Sequence, residues 1–133
     1  MLCAYLDDMP AAYAAATLLV CRAGAMTLAE TTALGKPAIL VPFPGAVDDH
    51  QTANARTLVA AGAAVLVPDQ ELSGERLAAE IRALLGTRGR LEAMRQASLR
   101  LARPQATAEL AAAIHRQAHG VAPGGKLHVR TSQ

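Results

Sequence analysis

Aromatic side chains are nearly missing from this sequence: one Phe, two Tyr and no Trp in 133 residues. A surface that stacks the bases of single-stranded nucleic acid needs such faces, so nucleic acid is not an expected partner. Cysteine is equally scarce. Cys3 and Cys21 are too few and too far apart for a disulfide framework, and no CxxC or Cys/His spacing suggests zinc. A reducing compartment is therefore the expectation. No apolar run approaches the roughly 20 residues that span a bilayer. Met1 is followed by no charged n-region with an apolar h-region, so neither a transmembrane nor a secretory segment is expected.

What is present points to one compact domain, the ordinary yield of a chain this long. Hydrophobic residues make up 52% of the sequence, and with aromatics at 2% the core must be built mainly from Ala, Leu and Val. That composition suits helices packed closely on a sheet. Net charge is only +2 but unevenly placed: residues 1–72 hold 3 basic and 7 acidic side chains (−4), and residues 73–133 hold 10 and 4 (+6). Solvated helix faces carrying Arg are one explanation of the basic half, and attraction to an anionic membrane surface is the other.

Short apolar runs alternate with helical stretches, the rhythm of βα units and a parallel sheet, so the fold class is α/β. Residues 1–5 read as the tail of a strand. Asp8 then offers an N-cap and Pro10 sits at the first helical positions of a helix through Ala16. Strands follow at 18–21, 37–41 and 63–67. A helix starting near Met26 or Thr27 ends at Gly35, which is placed as its C′ residue, and another runs over 50–61, closed by Gly62. Ser73 caps a helix with Leu77, Ile81, Leu84 and Leu85 at helical spacing, closed by Gly86. Leu91, Met94 and Leu101 mark the next, Pro104 breaks it, and Leu110 with Ile114 marks a last one to about His119. Residues 1–119 form the expected domain, and the Gly/Pro-rich tail over 120–133 is expected to be disordered.

Ligands of open parallel sheets bind outside the carboxyl ends of the strands. Three segments fall there: Leu6-Asp7-Asp8, Arg22 through Glu30, and Pro42 through Gln51. The small residues Ala23-Gly24-Ala25 let a ligand approach the backbone, and the helix behind them presents unpaired amides and its positive dipole end, which suits a diphosphate. Thr27 could add a hydroxyl, and Glu30 a carboxylate able to grip two adjacent ribose hydroxyls. Thr27-Leu28-Ala29-Glu30 is also a capping box, in which both side chains merely satisfy helix-start amides. Arg22 can bind phosphate or pair with a neighbouring carboxylate. Gln51 can donate to and accept from sugar hydroxyls. Asp48 or Asp49 reads as an N-cap more readily than as a metal ligand, since nothing else supplies Mg²⁺ ligands. His115 and His119 have chelating spacing but sit where imidazolium favours a helix C-terminus. Cys21 reads as a buried small hydrophobe, and no nucleophilic triad is visible.

Four ordered blocks carry a resemblance: Tyr5-Leu6-Asp7-Asp8-Met9; Cys21-Arg22-Ala23-Gly24-Ala25-Met26-Thr27-Leu28-Ala29-Glu30; Pro37-Ala38-Ile39-Leu40-Val41-Pro42-Phe43-Pro44; and Asp48-Asp49-His50-Gln51-Thr52-Ala53-Asn54-Ala55. Over roughly residues 1–115 the chain resembles family 28 glycosyltransferases of two-domain GT-B fold. These move N-acetylglucosamine from UDP-GlcNAc to the undecaprenyl-pyrophosphoryl-muramoyl-pentapeptide lipid of peptidoglycan synthesis. The resemblance implies a Rossmann-like sheet, the C-terminal, donor-binding half of such an enzyme, and no metal or other cofactor. It implies that the backbone of Leu6 meets uracil, that Ala25, Met26 and Thr27 face sugar and diphosphate, that Glu30 holds the ribose and Gln51 the GlcNAc hydroxyls, and that Arg22 and Gly24 shape the turn. It also implies an N-terminal domain with the catalytic base, the acceptor loops and a membrane-facing patch, which this sequence lacks. The expected place is the cytoplasmic face of the bacterial inner membrane. Without that domain the chain is expected to be inactive, a UDP-sugar-binding subunit paired with a separately encoded half, or a remnant. Gly45 departs from the family, where His is common.

Overall fold

The computed structural model describes residues 3–45 and 49–118. The chain divides into two compact units, residues 1–102 and 103–133. The first is a parallel sheet of three strands in the order β1-β2-β3: β1 (Leu19–Cys21), β2 (Ala38–Leu40) and β3 (Ala64–Leu66). Register runs Leu19↔Ala38 and Cys21↔Leu40 on one side of β2, and Ala38↔Ala64 and Leu40↔Leu66 on the other. Each strand is a residue or two shorter than the apolar run that predicts it. The ladder nevertheless continues through Leu19 N to Pro37 O, Val41 N to Cys21 O and Val67 N to Leu40 O, each 2.9 Å.

The central strand explains the core. Side chains alternate across a strand, so Ala38 and Leu40 join Leu28, Ala55 and Leu58 on one face, while Ile39 and Val41 join Val67, Leu84 and Met94 on the other. The helices behind these residues are α2 (Ala25–Ala33), α3 (His50–Ala60), α4 (Gly74–Gly86) and α5 (Arg90–Leu101). The first cluster is largely alanine and leucine, as an aromatic-poor composition requires.

One expected strand does not form among its described residues. Residues 3–5 are not extended pairing partners, and Tyr5 is 80% exposed. The sheet order leaves β1 an edge strand, and this segment does not pair with it. It leads instead into α1 (Met9–Ala15), where Asp8 Oδ1 accepts the amide of Ala11 at 2.9 Å and Pro10 occupies the first turn. Lys36 Nζ donates to the carbonyls of Ala14 and Ala16 at the other end of that helix.

Helix ends follow the sequence closely. Gly35 (φ +60°) and Gly62 (φ +76°) are left-handed C′ residues, and each terminus closes with paired backbone bonds: Gly35 N to Thr32 O and Lys36 N to Thr31 O after α2, Gly62 N to Val59 O and Ala63 N to Leu58 O after α3. Ser73 Oγ accepts the amide of Arg76 at 3.1 Å and starts α4. Of its apolar stripe Leu84 is buried, whereas Leu85 is 57% exposed. The second unit contains α6 (Ala106–Ala118), on which Leu110 and Ile114 are exposed. Asp48, His119 and the tail expected to be disordered lie outside the described residues.

Candidate functional site

The loops leaving the three parallel strands are tied together at their carboxyl ends. Arg22, just beyond β1, reaches across to the loop after β2, where Nη1 donates to the carbonyls of Val41 and Pro42 at 3.3 Å each. The same nitrogen pairs with Asp69 beyond β3, and the guanidinium lies 5.6 Å from the centre of the Phe43 ring. Of the two readings of Arg22, the carboxylate partner is the one observed. Gly45 is part of the same arrangement, because a Cβ there would meet Phe43 Cε1 at 2.7 Å.

Gln51, in the first turn of α3, makes the second tie. Its Oε1 accepts the amide of Ala23 at 3.2 Å and that of Phe43 at 2.9 Å. Two backbone donors converging on one atom identify that atom as the oxygen. A carbonyl oxygen has two lone pairs, so this acceptor is filled. The side chain is left as a donor through Nε2, which corrects the expectation that it both donates and accepts. Asp49 does stand at the N-cap of α3, with left-handed backbone (φ 54°) and no capping bond from its side chain.

The tie holds the turn that begins α2. Gly24 is the N-cap and contributes no side-chain cap, while its carbonyl accepts Leu28 N at 3.0 Å. The amides of Ala25, Met26 and Thr27 therefore have no acceptor within the helix. The entrance is open, with Ala25 exposed and Met26 76% exposed. This geometry excludes the capping box: Thr27 is the third residue of the helix rather than its cap, and Glu30 lies a turn deeper.

Glu30 is exposed and accepts a hydrogen bond on Oε2 from the Tyr13 hydroxyl of α1 at 2.8 Å. Burial and that bond to a carboxylate push the Tyr13 phenol up to about 12, because both disfavour the phenolate. Tyr13, Asp69 and the ring of Phe43 carry the local geometry, and sequence reasoning singled out none of them. No motif could have found Tyr13, whose partner is 17 residues away. Leu6 lies in the exposed stretch before α1, 46% accessible. Cys21 is half-buried against the first core cluster rather than fully buried as expected, and that burial raises its thiol. Among the described residues no three His, Cys, Asp or Glu side chains cluster as metal ligands would. His115 is in the last turn of α6.

A parallel sheet whose strand ends meet an open helix N-terminus, with a carboxylate one turn in, is the architecture of a Rossmann-like nucleotide-binding domain. Residues 1–116 match the glycosyltransferase family 28 C-terminal domain, and the chain belongs to that family. It is 60% identical over 107 residues to the UDP-N-acetylglucosamine–N-acetylmuramyl-(pentapeptide) pyrophosphoryl-undecaprenol N-acetylglucosamine transferase of Anaeromyxobacter sp. (strain Fw109-5), covering 80% of this chain and 28% of the relative. The protein of the same name from Alkalilimnicola ehrlichii is 58% identical over the same share of this chain, 30% of its own length. Among solved structures, Acinetobacter baumannii MurG superposes with a TM-score of 0.76 at 38% identity, covering 84% of this chain and 33% of the other. The chain thus spans under a third of the curated relatives it matches.

Proposed function

We propose that this chain is the UDP-GlcNAc-binding half of a hexosyltransferase that adds GlcNAc to the undecaprenyl-linked muramoyl-pentapeptide lipid of peptidoglycan synthesis. The donor-binding domain spans residues 1–119. The observation that carries the reading is the open start of α2, where amides of Ala25, Met26 and Thr27 stand beside Gly24 without intrahelical acceptors. Backbone donors and the positive helix end suit a pyrophosphate. Around it, the backbone of Leu6 meets the uracil, Glu30 clasps the ribose hydroxyls, and the Nε2 of Gln51 donates to a hydroxyl oxygen of GlcNAc. Arg22 contributes by holding the turn, since its Nη1 is engaged with Val41, Pro42 and Asp69. No metal or cofactor is invoked.

Transfer requires donor and acceptor held together in attack geometry. A second, acceptor-binding half must therefore supply the catalytic base, whether joined in one polypeptide or separately encoded. A lipid-linked acceptor places the work peripherally at the cytoplasmic face of the bacterial inner membrane. Among the described residues no helix is long and apolar enough to cross a membrane.

Calorimetry with UDP-GlcNAc tests the reading directly. Saturable binding is expected, and Glu30→Ala should weaken it by roughly 1.5–3 kcal/mol, one to two decades in affinity, the worth of hydrogen bonds to a charged group. An unchanged dissociation constant removes Glu30 from the site, and no binding by the folded wild-type chain identifies a remnant.

A further inference from the structure

Glutamate is a poor recognition element when left to itself, because a long exposed side chain loses rotamer freedom when it engages a ligand. Glu30 is not left to itself. Its Oε2 is bonded at 2.8 Å to the hydroxyl of Tyr13, which belongs to a different helix. The two partners differ sharply in exposure: Tyr13 is 8% accessible, a ring packed beneath the surface, whereas Glu30 is exposed. The buried ring is the fixed post and the carboxylate is the part that is held. Both lie at a hollow of about 220 Å³ between α1 and α2, completed by Met9, Pro10 and Leu34.

We propose that Tyr13 is the positioning residue for Glu30, and that by aiming this carboxylate it sets how strongly the site distinguishes a ribonucleoside diphosphate from its 2′-deoxy counterpart. The inference rests on the reading that Glu30 clasps the ribose. Carboxylates offer about four lone-pair sites, so one bond from Tyr13 leaves capacity for two vicinal hydroxyls. The phenol, pushed up to about 12 by burial and by Glu30, stays protonated and remains a donor at any physiological pH. The arrangement therefore stands before the nucleotide arrives, and the ordering that binding would otherwise require is already in place.

Calorimetry with UDP and 2′-deoxy-UDP on the 133-residue chain, as wild type, Tyr13→Phe and Glu30→Ala, separates the roles. Wild type should prefer UDP, and Glu30→Ala should bring the two affinities together. Tyr13→Phe keeps the ring and removes only the hydroxyl, so UDP binding should weaken about three- to tenfold, with 2′-deoxy-UDP much less affected. A wild-type UDP preference in folded Tyr13→Phe, alongside its loss in Glu30→Ala, makes Tyr13 a packing residue and overturns the proposal. If Glu30→Ala itself preserves the preference, the ribose assignment fails and takes this inference with it. Should Tyr13→Phe not fold, the bond is tested without it: Glu30→Ala must lower the pH at which Tyr13 ionises, followed by tyrosinate absorbance, and an unchanged titration overturns the proposal.

Discussion

Gln51 is a side chain whose two ends have different duties. The oxygen ties Ala23 to Phe43, and the nitrogen is the end that the proposed function assigns to the ligand. Gln51→Glu retains an oxygen for both amides but loses the donor, so it should melt close to wild type while binding UDP-GlcNAc about tenfold more weakly, as calorimetry would read. Gln51→Ala strips the acceptor from the fully buried Ala23 and should destabilise the fold by about 1–3 kcal/mol in urea denaturation. Tyr13 gives a pH prediction of definite sign. Its folded value is raised from 10.0 to about 12, so the unfolded chain releases this proton first as pH rises. The stabilisation is complete below about pH 10 and is lost on approaching pH 12. Melting temperature should fall across that window, and Tyr13→Phe should flatten the fall.

At the scale of elements, α2 is specified at both ends by residues without side-chain caps. Its start is left open by Gly24, and its end is closed by Gly35, where φ is +60° and an added Cβ would meet Leu99 Cγ of α5 at 2.7 Å. Left-handed strain and the clash act together, so Gly35→Ala should cost about 1–3 kcal/mol by denaturant titration. The proposed donor site is the opposite end of the same helix, and UDP-GlcNAc affinity of the folded variant should change little. Element positions were legible because caps, C′ glycines and apolar spacing act within a turn or two. Residues 3–5, the described part of the strand expected over 1–5, form none for the complementary reason: an apolar segment becomes a strand only by pairing across the sheet, and nothing within the segment records whether it does.

For the whole molecule, the chain covers under a third of its curated relatives, 28% and 30% of the two compared. On the proposed function, donor binding and turnover separate. The chain alone should bind UDP-GlcNAc yet transfer no labelled GlcNAc to lipid acceptor, and supplying the N-terminal half of a relative should restore transfer. Transfer by the chain alone would refute the division of labour. The family was legible before any coordinates, because four motif blocks in order are far more specific than any one of them. Thr27 with Glu30 alone favours a capping box over a nucleotide site, and the small-residue turn alone is weak evidence.

Determined by the sequence itself were the α/β rhythm, the helix termini at Asp8, Gly35, Gly62 and Ser73, and the alanine-rich core, since each follows from interactions within a few residues or from composition. The tertiary structure alone decided that Thr27 is not a cap, that Arg22 is bound to Asp69 47 residues away, that Gln51 Oε1 is filled by two backbone amides, and that Tyr13 donates to Glu30. Hydrogen-bonding groups are directional and few. Which partner each one meets depends on how strands and helices pack, and no local pattern carries that information.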